Sequence, residues 1–483
     1  MPENTLTFRD RMLRDTFTIA ERMVFITIIF VAVATFIIGD TNSKWLQGTL
    51  IIVGMLTMFI LKAHEQTHPF FVDLLWTKFW LITAPAWSFM LLYLIGLYQN
   101  PIHTIEIDGT TWSALVDHSR WMPITVDASN TWVSFFSFFA VYLLATLTFI
   151  VPKSRTFFES ALPLLCTIAT ALGIFGLLQA TFEANNVLFT NGTGRTDFFA
   201  FFPYDGHWAA FATLWCTVCV AMSLHGAYTN GTESYLNSRA PWFLAGATIL
   251  GFSGLWIEAR WPAICLLFTY AAMLLCVGLK FTRNKKDPDK FIIIIGSFIA
   301  AMVAASAAVY RFVDNSALTA NTDQLYLAAS DLFKEQPLFG WGFNSFSKLL
   351  PFYGEGTLLL NHYQRAQSDV LQLACEFGLF GIVLIVALLG GLFVRYLKVS
   401  SKHPLSKYML FGCIGLIGLS FVDTPFYSPA VFFSFWIILL SAIRWTDLNS
   451  NDADQVDARV VVVADESERK VPVFKGHHPE KLR

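Results

Sequence analysis

His362, Arg365, Gln367, Ser368 and Asp369 crowd into NHYQRAQSDVLQLACEFGLFG, residues 361–381, where a polar run passes straight into apolar sequence. A guanidinium offers paired donors that match phosphate oxygens. An imidazole gains or loses a proton near neutrality and serves as acid or base. Together these groups suit anion binding and proton transfer where water meets lipid. Two more arginines stand in comparable settings: Arg195 in NGTGRTDFFAFFPYDGHWAAF and Arg260 in WIEARWPA. Taken singly, each arginine has a plainer reading. It snorkels, or pairs with Asp197, Glu258 or Asp369 respectively. Three at one depth point instead to a lipid diphosphate headgroup whose tail stays in the bilayer. His207, which opens an apolar run, and His362 are the acid–base candidates, their plainer role being interfacial hydrogen bonding. Asp369 follows Arg365 by four residues and would orient it if a helix has already begun.

These groups need a scaffold, and composition specifies its kind. The 483 residues are 55% hydrophobic and 14% charged, with 47 phenylalanines. A water-soluble chain carries roughly 25% charged residues, so no aqueous surface can be built here. Apolar runs of about 20 residues recur, each long enough for a hydrocarbon core of roughly 30 Å. The expected class is an all-α polytopic membrane protein. It has twelve spans, near 23–39, 45–62, 79–98, 131–151, 158–179, 206–225, 241–257, 262–279, 291–310, 376–394, 408–424 and 428–443.

Lysine and arginine in short loops fix the orientation. With both termini cytoplasmic, the inner stretches before the final tail hold 19 basic residues and the outer stretches 8. Residues 1–22 are then a cytoplasmic lead, 23–444 the membrane domain and 445–483 a cytoplasmic tail of low order, in which VVVVA suits a strand. Two outer segments, about 99–130 and 311–375, exceed ordinary connectors. The second holds DQLYLAASDLFKEQ, spaced as an amphipathic helix for the interface, and PLFGWGFNSF, which reads as an ordered turn on the membrane surface. Gln372 and Glu376 make one polar stripe on an otherwise apolar helix. Gly378 and Gly381 are small enough to admit a neighbouring helix. Cys216 and Cys219 form a C-x-x-C within an apolar run, and packing is its expected role. The net charge of −2 gives no sign of a nucleic-acid partner.

AQSDVLQLACEFGLFG resembles the C-terminal signature of the O-antigen ligase and polymerase superfamily, through Ala366, Asp369, Leu371, Gln372, Glu376, Gly378 and Gly381. PLFGWGFNSF is similar to a second family element through Pro337, Gly340, Gly342 and Phe346. FFPYDGHWAAF matches a third at His207, and EARWPAICLL a fourth at Arg260. The likeness spans roughly 190–390, and the elements follow the family's order.

The resemblance implies a membrane glycosyltransferase of the C class in the bacterial inner membrane, its site facing the periplasm. It would pass a glycan from a polyprenyl diphosphate donor to a lipid or glycan acceptor hydroxyl, without cofactor or metal, in cell-surface polysaccharide synthesis. Arg195, Arg260 and Arg365 would grip the diphosphate. His362, His207 and Asp369 would handle protons, with Gln367 and Ser368 on the acceptor side. The chain departs from the signature at one place: Gln367 stands where the family's histidine does, and glutamine takes up no proton at physiological pH. Two other functions remain open from sequence, a transporter or flippase of lipid-linked sugars and a non-catalytic member of an envelope assembly complex.

Overall fold

The computed structural model describes residues 18–38, 44–67, 72–99, 101–107, 110–182, 198–229, 235–283, 290–313, 320–353, 365–399 and 404–468. Arg195 and His362 lie outside these residues. The described chain is helical apart from one hairpin and one isolated bridge. Among the described residues, ten helices are long and apolar enough to cross a membrane, and two shorter apolar helices stand where the other two of the expected twelve spans were placed.

The first three are α1 (Ile19–Ile38), α2 (Lys44–Thr67) and α3 (Val72–Gly96). An antiparallel hairpin follows, β1 (Ile102–Ile107) paired with β2 (Thr110–Leu115), with Ile102 opposite Leu115. Then come α4 (Ala128–Ile150), α5 (Arg155–Thr181), α6 (Asp205–Thr229), the short α7 (Ala240–Phe252), α8 (Arg260–Arg283) and α9 (Lys290–Val313). Two helices precede the last spans, α10 (Ala320–Glu335) and α11 (Phe346–Tyr353). The chain closes with α12 (Asp369–Lys398), the short α13 (Pro404–Leu419) and α14 (Pro429–Glu468).

α6 is the axis of the bundle. Every side chain from Asp205 to Leu224 is buried, which is how a helix apolar all round behaves when other helices surround it. Close helix packing needs small side chains, because lipid removes the hydrophobic drive that works in water. The helix supplies them: Thr217 Oγ1 lies 2.2 Å from where a Cβ on Gly412 of α13 would stand. Buried hydroxyls turn inward to their own helix, as Thr213 Oγ1 donates to Ala209 O at 2.8 Å. Buried indoles find partners across helices, as Trp215 Nε1 donates to Ser434 Oγ of α14 at 2.9 Å.

The long-loop end carries a second, smaller core. Leu325, Ala328, Ala329 and Leu332 of α10 pack against Trp341, Leu349, Leu350 and Ala366. α10 is amphipathic, as its spacing predicts, and its apolar face packs against Trp341 of the following loop and Leu349 and Leu350 of α11. The VVVVA run is a correction: residues 460–463 continue α14 as helix, where a strand was expected. Helix propagation costs little once a long helix exists, and it overrides the β preference of the valines.

Candidate functional site

The polar-to-apolar junction is built around a break in α12. Ser368, with an extended backbone, caps the helix, its Oγ accepting the Leu371 N–H at 3.4 Å. Nine residues into the helix the backbone departs from it at Gly378, φ 62° and ψ −162°, a conformation that side chains with a Cβ avoid. The break removes the intrahelical partners of backbone groups on both sides, and the 337–342 loop replaces them. Trp341 and Gly342 donate to the carbonyls of Cys375 and Glu376, both at 2.9 Å. Leu379 and Phe380 donate to Pro337 and Leu338, at 2.8 and 3.1 Å. A Cβ on Gly340 would lie 2.4 Å from the Glu376 carbonyl carbon, and one on Gly378 would lie 2.4 Å from that of Leu338. The turn read from PLFGWGFNSF is therefore a clasp on the kinked helix, and Gly378 admits that loop where a helix was expected. Gly381 does meet a helix, at Phe89 of α3.

Just before the break, Gln372 and Glu376 face inward as one stripe. Gln372 Nε2 donates to Glu376 Oε1 at 2.6 Å, and its Oε1 accepts the Ala366 N–H at 2.8 Å. The Tyr427 hydroxyl donates to the same Glu376 oxygen at 3.1 Å. Each polar group here is thereby satisfied, as burial demands.

Tyr427 belongs to an element that sequence reasoning passed over, the loop 420–428 between α13 and α14. It touches the site at every point. Thr424 O lies 3.1 Å from His207 Nε2. The Phe426 N–H donates to Asp369 Oδ2 at 2.8 Å, and Asp423 O accepts the Asp369 N–H at 3.0 Å. Ser420 O accepts from Ser368 Oγ at 3.3 Å. The Arg365 guanidinium sits 4.2 Å above the Tyr427 ring, a cation on the negative face of an aromatic. Its Nη1 reaches His207 Nε2 at 3.2 Å. Nε2 thus has a donor and an acceptor for neighbours. Bare, it accepts from Arg365; protonated, it donates to Thr424 O.

Asp423 anchors this loop. Tyr204 donates its hydroxyl to Asp423 Oδ2 at 3.0 Å, and the Thr424 N–H donates to Oδ1 at 2.7 Å. Burial nevertheless dominates these hydrogen bonds and lifts the Asp423 carboxyl to about 6. The hydroxyls of Tyr204 and Tyr427 are pushed well above their usual range, also by burial first.

Below the cluster lies an apolar cavity of about 240 Å³ between α3, α4, α12 and α14. Aromatic rings such as Phe89, Phe138 and Trp436 form most of its wall, while Asp369, Gln372, Glu376 and Tyr427 bring the polar network to it. Three non-glycine residues of the described chain have positive φ: Ala200 (53°), Asn344 (59°) and Gln367 (54°). Each sits in a loop that meets at this site, which is where backbone strain tends to be held.

The structure brings together His207, Arg365, Ser368 and Asp369 among the residues singled out from sequence. Arg365 precedes the helix, so it rests on Tyr427 and His207, while Asp369 receives the Phe426 N–H. Ser368 acts as a helix cap. Gln367 has its carbonyl 3.4 Å from the Tyr326 hydroxyl. Arg260 is placed otherwise. Its Nε and Nη2 donate to the carbonyls of Arg311 and Phe312 at 3.1 and 2.6 Å, at the end of α9. Arg311 returns the exchange, donating to Ile257 and Leu255 carbonyls just before α8. One carboxylate joins this bracket to the His207 helix: Asp205 Oδ2 accepts the N–H groups of Glu258 and Ala259. Cys216 and Cys219 are buried in packing. Among the described residues, no group of three His, Cys, Asp or Glu side chains stands in metal-binding geometry.

Among the described residues, ten helices long enough to cross a membrane and two shorter apolar ones define a polytopic membrane protein, with an apolar cavity inside the bundle whose wall, Tyr427, carries the Arg365 guanidinium. Residues 235–386 match the family model described as O-antigen ligase, which supports the resemblance to the O-antigen ligase superfamily. The match carries Arg260, the 337–342 clasp, Arg365, Asp369, Glu376 and Gly378, while His207 and the loop 420–428 lie outside it. No curated protein matches the chain.

Proposed function

We propose that this protein transfers a glycan from a polyprenyl diphosphate to an acceptor hydroxyl on the extracytoplasmic face of the bacterial inner membrane. The observation that carries the reading is the seat of Arg365 on Tyr427, a wall of the apolar cavity, with His207 beside it. A diphosphate needs a guanidinium, and an isoprenoid chain needs an apolar cleft entered from lipid. The Tyr427 ring joins the two requirements, with Arg365 on its face and the apolar cavity along it.

In the reaction, the acceptor oxygen bonds to the anomeric carbon as the bond from that carbon to the diphosphate oxygen breaks. The bonding pair leaves with the diphosphate, where Arg365 stabilises the growing charge. The acceptor's proton passes to His207 or Asp369. When the Nε2 proton is donated to Thr424 O, Nδ1 is the basic nitrogen of His207. His362 and Arg195 remain further candidates for proton transfer and diphosphate binding. No metal or cofactor enters this scheme.

Gln367 favours a second reading, a member that binds the donor within an envelope assembly complex without turning it over. Purified protein supplied with a polyprenyl-diphosphate glycan and separate lipid A core, repeat-unit and protein acceptors distinguishes the two. Transfer to one acceptor, lost in Arg365→Ala, supports the enzyme. Donor binding with no transfer to any of them supports the second reading.

A further inference from the structure

We propose that Tyr427 is the positioning residue of this site, holding the Arg365 guanidinium on the ring that also lines the cavity and so fixing where a bound lipid's charged head ends and its chain begins. The inference rests on the reading above and names a residue outside the matched segment.

The geometry is specific to this ring. Arg365 lies in the non-helical run that precedes α12, so no helical register fixes its side chain. Among the described residues its contacts include the Tyr427 face at 4.2 Å and His207 Nε2 at 3.2 Å. The ring itself is held firmly. It stacks on Phe343 at 12° and 6.2 Å between centroids, and meets Phe138 edge-on at 6.4 Å. Its hydroxyl donates to Glu376 Oε1 at 3.1 Å, and Gln372 Nε2 lies 3.4 Å away. Glu376 is in turn placed by the backbone break at Gly378 and the clasp from Gly342. Tyr427 therefore passes the position of the kinked helix to the guanidinium. The same ring lines the cavity, so one residue is both the floor under the cation and part of the wall beside the chain.

The two ends of the side chain separate by substitution. Tyr427→Phe keeps the face under Arg365 and loses the bond to Glu376. Tyr427→Leu loses both. Farnesyl diphosphate binding to the detergent-purified full chain, read by native mass spectrometry, is the measurement, with inorganic diphosphate as the probe lacking a chain. Removing the aromatic face is expected to weaken farnesyl diphosphate binding about tenfold, the size of a partly desolvated cation–π contact. Tyr427→Phe should recover most of that affinity. In transfer assays the Leu variant should raise the donor KM by a similar factor and change kcat less.

A double-mutant cycle supplies the readout that loose packing would not reproduce. In an Arg365→Ala background, Tyr427→Leu should cost far less affinity than in the wild type, leaving only the share the ring contributes as cavity wall. Additive losses overturn the inference, as does a Leu variant that binds like wild type or a Phe variant as weak as Leu. Wild-type protein that binds farnesyl diphosphate no better than Arg365→Ala overturns the function above together with this inference. Loss in Arg365→Ala with an unchanged Tyr427 series overturns this inference alone.

Discussion

Nε2 of His207 and Nη1 of Arg365 lie 3.2 Å apart, although 158 positions separate the two residues in the chain. One opens the fully enclosed helix α6, and the other ends the loop that leads into α12. Their meeting depends on the loop 420–428, whose Thr424 carbonyl and Tyr427 ring touch one residue each. An imidazole and a guanidinium thus come from separate parts of the chain and are brought into register by a third.

Substituting Arg365 removes the only part of this cluster suited to a diphosphate. Arg365→Ala is expected to lower transfer by about 10²–10³-fold, the usual cost of one electrostatic contact in a transition state. Arg365→Lys keeps the charge but not the flat face on Tyr427, and should retain an intermediate rate. Donor turnover by membranes carrying equal amounts of each variant checks this, and an Ala variant at wild-type rate would end the assignment.

The backbone break gives a stability prediction with an internal control. Gly378→Ala forces a Cβ into a left-handed φ and 2.4 Å from the Leu338 carbonyl. The expected loss is about 2–4 kcal/mol. Gly390→Ala on the same helix meets nothing within 4 Å and should be neutral or slightly stabilising, since alanine is the better helix former. Thermal unfolding of both variants in detergent is the comparison, and equal midpoints would show that the break is not needed.

What could be read from sequence follows from where the information resides. Arg365, His207, Asp369 and the Gln372–Glu376 stripe were legible because their side chains carry chemistry that an apolar context makes conspicuous. The loop 420–428 was not, because it acts largely through main-chain atoms, Thr424 O and Phe426 N–H, which every residue possesses. Tyr427 is one of 14 tyrosines, and nothing local marks it. Gly378 stood in a continuous apolar run, so spacing suggested an uninterrupted helix and a close neighbour; positive φ has no pattern of its own. The hairpin β1–β2 did leave a signal, Asp108-Gly109 between alternating residues, within a segment read only as a long loop. The ten long spans were plain, since bilayer thickness imposes their length, while α7 and α13 are shorter than the spans expected there.

Asp423 makes stability depend on pH. Its carboxyl is raised by burial to about 6 in the folded protein, above its ordinary value near 3.9. The folded state therefore holds this proton more tightly than the unfolded state. The resulting stabilisation is fully present below about pH 4 and is lost as pH rises through 6. Asp423→Asn cannot ionise, so its unfolding midpoint should gain on wild type between pH 4 and pH 7. A difference that stays constant across that window would place the titration elsewhere.

Arg260 and Arg311 should behave as a pair. Each guanidinium donates to carbonyls at the other's helix end, so removing either leaves orphaned carbonyls where α9 ends or α8 begins. The expected cost for Arg260→Ala or Arg311→Ala alone is about 1–2 kcal/mol, the usual worth of partly exposed hydrogen bonds from a charged group. Because the two arginines brace one junction, the double variant should lose less than the sum. Asp205→Ala should resemble them, since it releases the Glu258 and Ala259 N–H groups at the same place. It also lies two residues from His207, so a slower transfer should accompany the lost stability. If Arg260→Ala instead abolishes donor binding with its unfolding midpoint intact, the guanidinium serves the diphosphate directly and the bracket is secondary.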